Sequence, residues 1–236
     1  MIRYVELDSS YNKISALFTT PDAGKGPFPA VILSHGLISS KSSSKYMTLS
    51  ERLAASGMAS CRFDYHGCGE SGGDIRSTTL TIRLENLDRI FDYLISRPDV
   101  DAEKVGMLGA SFGGAACLVK ASRDSRIRCV SPWATPYMLE KSDEKIDGIT
   151  FDDELYADFA RYDILALAGT VSNALVIHGD ADDVVPCREG VEIYNAIREP
   201  KRLEIIEGAD HILSNPIHRE RAVSLAVRWF GEYLLR

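Results

Sequence analysis

Short apolar runs alternate with amphipathic segments along most of this chain, and this alternation constrains its fold more than any other feature. The run Ala30–Leu33 is continuously apolar, which is typical of a strand covered on both faces of a sheet. The same reasoning predicts strands at Met58–Asp64, Val105–Gly109, Ile127–Ser131, Ala174–Ile177 and Arg202–Ile206, and helices at about Tyr46–Ser56, Leu80–Ser96, Cys187–Ile197 and Pro216–Leu235. Repeated strand–helix units predict an α/β fold with a mostly parallel sheet and helices on both faces.

Two other segments extend this pattern. Ile2–Leu7 and Lys13–Thr19 flank a short polar turn and predict an N-terminal antiparallel hairpin. The segment from Ala134 to about Gly169 has no strand pattern, is rich in acidic and aromatic residues, and is too long for a plain connection. We interpret it as a small helical cap insertion over the sheet edge. A solvated helical crossover without a role in the site is the alternative.

Composition excludes several classes of function. At 236 residues and 45% hydrophobic content, the chain is expected to form a single domain over residues 1–236. A net charge of -7 argues against nucleic acid or an anionic membrane as the main partner. No apolar run approaches the ~18 residues that span a bilayer, and the first residues lack the apolar core of a signal peptide. The cysteines are odd in number and scattered without metal-ligand spacing, so we expect free thiols in a cytoplasmic protein: Cys61, Cys68, Cys117, Cys129 and Cys187.

The pentapeptide Gly109-Ala110-Ser111-Phe112-Gly113 is a candidate nucleophile site. It reads G-x-S-x-G between the predicted strand Val105–Gly109 and the helix-forming run Gly114–Ala121. A serine at a strand–helix junction is typical of a nucleophile elbow, where its backbone is strained and glycines avoid collisions. The pattern alone is common enough to arise by chance, but its flanking elements favour a nucleophilic Ser111.

A serine hydroxyl is a poor nucleophile without a base, and His211 is the best candidate. It follows the strand Arg202–Ile206, which places it at the same sheet edge as Ser111. Of the other histidines, His178 ends a strand and is interpreted as structural. His218 falls in the last predicted helix and is interpreted as a surface residue.

The base needs a carboxylate to orient it. The loop after Ala174–Ile177 offers Asp182 as the preferred acid, Asp183 as its main rival and Asp180 as a turn residue. Asp210, next to His211, is interpreted as a solvated loop residue.

The oxyanion that develops on an attacked carbonyl needs preorganised donors. The backbone N–H of Phe112, beside the nucleophile, is one candidate. The backbone N–H of Leu37, in the loop Ser34-His35-Gly36-Leu37-Ile38 after the strand Ala30–Leu33, is the other, although His-Gly after a strand is also an ordinary turn. This chemistry requires no metal and no organic cofactor.

These motifs, in this order, resemble the α/β-hydrolase superfamily. Within it the chain is similar to small bacterial carboxylesterases of the feruloyl/cinnamoyl esterase type, which carry a short cap after the sixth strand. The resemblance implies a nucleophile at Ser111, an acid at Asp182 and a base at His211, with oxyanion amides at Leu37 and Phe112. It also implies a structural role for Asp64–Ser71. Leu37 replaces an aromatic residue frequent in feruloyl esterases, and the cap shows no motif matching their phenol-binding residues.

The predicted function is therefore a serine carboxylesterase that cleaves small-molecule esters, with aryl or feruloyl esters among the candidates. A peptidase or aminopeptidase, a thioesterase or acyltransferase, and a non-catalytic binding module are the alternatives. An aminopeptidase needs an acidic anchor for the free amine, for which the candidates are Asp143, Asp152, Asp153 and Glu154. The sequence leaves the oligomeric state open, a homodimer included.

Overall fold

A single eight-stranded sheet forms the centre of the molecule. The computed structural model describes residues 1–24, 26–141 and 145–236. The strands lie in the order β1-β2-β4-β3-β5-β6-β7-β8, with the bounds β1 Ile2–Asp8, β2 Lys13–Thr19, β3 Phe28–Ser34, β4 Ala59–Phe63, β5 Val100–Ala110, β6 Ile127–Trp133, β7 Ala174–Gly179 and β8 Lys201–Ile206. Strands β3 to β8 are parallel, whereas β1 and β2 form an antiparallel hairpin that joins β4. The predicted α/β fold is confirmed.

Helices cover both faces of this sheet, with the bounds α1 Ser44–Ala55, α2 Leu80–Ile95, α3 Phe112–Arg123, α4 Asp153–Phe159, α5 Ile164–Ala168, α6 Cys187–Ala196 and α7 Pro216–Leu234. Ala30 and Ile32 pack into the core under α2 and α3, while Val31 and Leu33 pack into the core under α1 and α7. Successive residues of β3 point to opposite faces and both faces are buried, so its sequence is a continuous apolar run.

The segment between β6 and β7 contains the short helices α4 and α5 and is anchored on the first turn of α2. The buried carboxylate of Asp158 accepts hydrogen bonds from the Thr81 backbone N–H (2.8 Å) and the Thr81 hydroxyl (2.6 Å). The Tyr162 hydroxyl lies 2.7 Å from the same Thr81 oxygen. These contacts fix α4 against the sheet's helical layer. Within the described ranges, no helix is long and apolar enough to cross a membrane.

A buried ion pair fixes the loop Asp64–Ser71 to the chain before α1. The Lys41 ammonium lies 2.5 Å from Asp64 Oδ2 and 2.6 Å from Glu70 Oε2, and the Lys41 and Asp64 side chains are almost fully buried. Asp64 also accepts hydrogen bonds from the backbone N–H groups of Lys41 and Glu70. The loop is therefore organised around one carboxylate.

Replacing Asp64 by asparagine should lower the free energy of unfolding by about 3 kcal/mol, because the Lys41 ammonium would keep only the exposed Glu70 as an ionic partner. Urea denaturation measures this loss. The control is Glu220→Gln, which breaks an exposed pair with Arg52 and should cost less than about 1 kcal/mol. Equal losses in the two variants would contradict a structural role for the buried pair.

Candidate active site

Ser111 occupies a strained turn between β5 and α3. Its backbone has φ 53° and ψ -129°, a region that non-glycine residues rarely adopt and that costs roughly 1–3 kcal/mol. A Cβ on Gly113 would overlap the carbonyl oxygens of Ser34 and His35, and a Cβ on Gly109 would overlap the Gly113 carbonyl. The two glycines of the motif are therefore required by the close approach of strand, helix and neighbouring loop.

His211 and Asp182 meet at the carboxyl ends of β7 and β8. His211 Nδ1 lies 2.8 Å from Asp182 Oδ2, with the Asp182 side chain 0% exposed and the His211 side chain 13% exposed. The other carboxylate oxygen of Asp182 accepts hydrogen bonds from the backbone N–H groups of Val184 (2.9 Å) and Val185 (2.8 Å). The rival Asp183 is exposed. The geometry thus pairs His211 with Asp182.

The environment of Asp182 favours its charged form. Burial acts to raise the pKa of this carboxyl, but hydrogen bonds from His178, His211 and the Val185 N–H outweigh it and lower the pKa below its usual range. His178 is buried, and its Nε2 lies 3.2 Å from Asp182 Oδ2 and 3.0 Å from the Val185 carbonyl oxygen. Asp182 is therefore ionised at neutral pH and faces two histidines.

The sequence predicts a structural role for His178 and does not predict its contact with Asp182. The two residues stand four positions apart where β7 ends and its loop begins. That spacing carries no specific signal in a turn, because the direction of each side chain depends on how the loop folds back.

The loop after β3, residues Ser34–Ile38, passes directly over Ser111. A Cβ built on Gly36 would lie 3.3 Å from Ser111 Cβ. Buried His35 holds this loop in place, since its Nδ1 donates to the Gly36 carbonyl (2.7 Å) while its Nε2 accepts from the Tyr65 N–H (3.0 Å). Burial, assisted by the positive charge of Arg83, lowers the pKa of His35 to about 3. His35 is therefore neutral and serves as a fixed hydrogen-bonding bridge.

Arg83 contacts the loop over Ser111, and no motif in the sequence predicts this contact. Its side chain is fully buried and donates from Nη1 to the Gly36 carbonyl (3.0 Å) and from Nη2 to the Leu37 carbonyl (2.8 Å). A signal was available, because Arg83 stands four positions before Leu87 on the apolar face of α2. A charged residue on a buried stripe implies a polar partner inside the molecule.

The remaining candidates make other contacts. Asp210 binds the backbone N–H (2.8 Å) and the hydroxyl of Ser214, and Asp180 accepts a 2.6 Å hydrogen bond from the Gly208 N–H. Half-buried His218 lies on α7. Among the described residues, Ser111 Oγ makes no hydrogen bond to His211, and no cluster of side chains suited to a metal occurs.

The candidate amine anchors in the α4 region are mostly paired or outside the described residues. Asp153 lies 2.9 Å from the Lys141 ammonium, and Glu154 lies 3.0 Å from the Arg161 guanidinium. The backbone N–H of Asp152 donates to the Arg76 carbonyl. Asp143 lies outside the described residues.

A mostly parallel sheet, with a strained serine after one strand and a histidine and an aspartate on loops after later strands, is the arrangement typical of the α/β-hydrolase superfamily. The chain belongs to the prolyl oligopeptidase family, whose sequence model matches residues 45–236. The superfamily resemblance inferred from the motifs is thereby confirmed.

Individual relatives are distant in sequence. Est1E from Butyrivibrio proteoclasticus, solved with ferulic acid bound, superposes with a TM-score of 0.87 at 20% identity and covers 98% of this chain and 100% of its own. YfhR from Escherichia coli K12 is 29% identical over 155 residues, which are 64% of this chain and 52% of YfhR. The quorum-quenching protein AidA from Acinetobacter baumannii is 31% identical over 127 residues, 53% of this chain and 41% of AidA. The chain thus spans about half the length or less of these curated relatives.

Proposed function

We propose that this protein is a serine hydrolase that cleaves carboxylic esters of small molecules through an acyl-enzyme intermediate. Ser111 is the nucleophile, His211 the general base and Asp182 the carboxylate that orients His211. The backbone N–H groups of Leu37 and Phe112 form the oxyanion hole.

The observation that carries this proposal is the strained backbone of Ser111. A non-glycine residue at φ 53° persists only where the surrounding structure enforces it, and such strain clusters at functional sites. The conformation sets Ser111 at the N-terminus of α3, which carries partial positive charge, and beside Gly36. A purely structural serine gains nothing from this arrangement.

The chemistry follows from the roles of these residues. His211 Nε2 accepts the Ser111 hydroxyl proton as Oγ attacks the ester carbonyl, and the two amides stabilise the oxyanion. His211 then donates that proton to the departing alcohol, which leaves an acyl group on Ser111. A water molecule deprotonated by His211 attacks the acyl group, and Ser111 leaves with the returned proton. Asp182, held ionised by its donors, stabilises the imidazolium in both halves. The Ser111–His211 hydrogen bond is expected to form when substrate binds, as is common in hydrolases.

An aryl ester is the favoured substrate class within this proposal. The likeness to Est1E, which was solved with ferulic acid, supports it. The insertion at about 134–169 is proposed to act as the cap that selects the acyl group, since α4 places Phe159 against the ring of Phe112 at a centroid distance of 5.3 Å. The aromatic contact joins the insertion to the residue whose backbone N–H is one proposed oxyanion donor.

Peptide cleavage is the second candidate, because the family model is that of the prolyl oligopeptidases. The same serine, histidine and aspartate would serve it. The ion pairs of Asp153 and Glu154 with cations of this chain weaken both as anchors for a free amine, so ester cleavage stays the first proposal. Thioester cleavage would use the same residues.

A panel of chromogenic substrates tests the reaction class. We expect p-nitrophenyl acetate, p-nitrophenyl butyrate and ethyl ferulate to be hydrolysed at least about 100-fold faster, by kcat/KM, than aminoacyl p-nitroanilides, because amides are the harder acyl donors. An acyl thioester completes the panel. If only the anilides are hydrolysed, the protein is a peptidase and the esterase proposal is wrong. If a fluorophosphonate labels Ser111 but no substrate is hydrolysed, the assignment of Ser111 as the nucleophile would stand. The proposal that the protein cleaves esters would then be wrong.

A further inference from the structure

We propose that Arg83 is a positioning residue that aims the Leu37 N–H into the oxyanion hole and places a buried positive charge behind it. This inference rests on the proposed function, because it concerns the oxyanion hole of that reaction. Neither the serine motif nor the pairing of His211 with Asp182 identifies Arg83.

One peptide unit links Arg83 to the proposed donor. The Gly36 carbonyl and the Leu37 N–H belong to the same trans peptide, so they point in opposite directions. Arg83 Nη1 and His35 Nδ1 both donate to the Gly36 carbonyl, at 3.0 and 2.7 Å, and hold its oxygen on the interior side. The Leu37 N–H is thereby directed away from Arg83. Because Gly36 lies against Ser111, this direction is the side on which a substrate carbonyl would sit.

Arg83 makes a bidentate contact with the loop. Arg83 Nη2 donates to the Leu37 carbonyl at 2.8 Å, so one planar guanidinium binds two consecutive carbonyls of the loop. Arg83 Nε lies 3.2 Å from Thr78 Oγ1, and this contact helps to orient the guanidinium. A lysine, with a single ammonium, cannot reproduce this fork.

The positive charge of Arg83 is buried. Burial lowers the pKa of the Arg83 guanidinium, and no carboxylate of the described residues forms an ion pair with it. Its neighbours include the rings of Tyr65, at 4.6 Å from the guanidinium carbon, and Phe112, at 5.1 Å, together with Cys68 Sγ, at 3.7 Å from Nη2. An unneutralised positive charge in a region of low dielectric favours a negative charge developing nearby.

The contact with Phe112 joins both halves of the oxyanion hole. The Phe112 N–H is the other proposed donor, and the Phe112 ring contacts both the guanidinium of Arg83 and the ring of Phe159 on α4. Arg83 therefore touches the residues that supply both amides. It acts through them, without contact with the substrate.

The experiment compares Arg83→Met and Arg83→Lys with the control Arg97→Met in the full chain. Arg97 also packs its guanidinium on aromatic rings, those of Phe18 and Tyr93, but lies just beyond the far end of α2. The readouts are kcat and KM for p-nitrophenyl butyrate, the affinity for an aryl trifluoromethyl ketone that forms a tetrahedral oxyanion on Ser111, and the thermal midpoint of unfolding.

We expect Arg83→Met to lower kcat by about 100-fold with KM within about threefold, and to weaken trifluoromethyl ketone binding by a similar factor. Arg83→Lys should retain part of the kcat and part of the ketone affinity of the parent, and Arg97→Met should retain nearly all of both. If Arg83→Met does not fold, a decrease in kcat of about tenfold in Arg83→Lys, with a near-normal thermal midpoint, supports the proposal. Values of kcat and ketone affinity within threefold of the parent in a folded Arg83 variant would overturn it, as would a change confined to KM.

Failure of the esterase proposal can be separated from failure of this inference. If the parent protein hydrolyses no ester, the rate of Ser111 phosphonylation by a fluorophosphonate still reports on the oxyanion hole. A rate at least tenfold lower in Arg83→Lys than in Arg97→Met would then support the role of Arg83. Equal rates would overturn it.

Discussion

Replacing Ser111 by alanine should abolish ester hydrolysis while leaving the fold intact. The substitution removes the one oxygen that would form the acyl-enzyme and changes nothing else in the turn. We expect kcat for p-nitrophenyl butyrate to fall by about 10⁴- to 10⁶-fold, the range found when the serine of such a catalytic unit is removed. Initial rates on highly purified protein measure this loss, and circular dichroism verifies the fold.

The control for this variant is Ser122→Ala on α3, where the hydroxyl donates to the Val119 carbonyl of the same helix. It should retain activity within about threefold. Ser111→Gly should be as inactive as Ser111→Ala but more stable, since glycine adopts a positive φ without strain. Undiminished turnover in Ser111→Ala would show that Ser111 is not the nucleophile.

Changing Asp182 to asparagine should lower kcat by about 10⁴-fold, whereas Asp183→Asn should stay within about threefold of the parent. Asp182 accepts the hydrogen bond from His211 Nδ1, and an asparagine that turns its amide nitrogen toward His211 would favour the wrong tautomer. Asp183 is exposed next to it. The two variants therefore separate the role of the contact from the loss of one negative charge in this loop.

Steady-state kinetics at several substrate concentrations measure both aspartate variants, and urea denaturation reports whether the loop remains formed. Asp182 also accepts from Val184 and Val185, so a modest loss of stability in Asp182→Asn is expected without loss of the fold. A larger decrease in kcat for Asp183→Asn than for Asp182→Asn would show that Asp183, and not Asp182, is the carboxylate that orients His211.

The parts of the site that could be predicted from the sequence are those whose signals are local. The continuous apolar run in β3 predicts a strand buried on both faces. In the structure, alternate residues of β3 pack into two core layers. The two glycines around Ser111 indicate a turn in which the strand and the helix approach each other closely. The order of strands also implies that loops after β5, β7 and β8 meet at one edge of the sheet, because parallel strands place their carboxyl ends together.

The parts that could not be predicted depend on contacts between elements distant in sequence. Arg83 binds carbonyls of Gly36 and Leu37, and Asp158 binds the first turn of α2 from an insertion that follows β6. His178 faces Asp182 only because the loop after β7 folds back on its own strand. Periodicity assigns a residue to a face of its helix, but it does not name the group that lies opposite.

The sequence by itself determined the order of strands and helices along the chain, the strained serine turn and the sheet edge where the candidate site residues lie, because each follows from side-chain size and polarity within a few residues. Only the tertiary structure decided that Asp182 rather than Asp183 faces His211, and that a buried guanidinium holds the loop over Ser111. Both outcomes depend on which way a side chain points once the chain is packed. That direction is set by steric fit and by satisfying buried polar groups across the whole molecule.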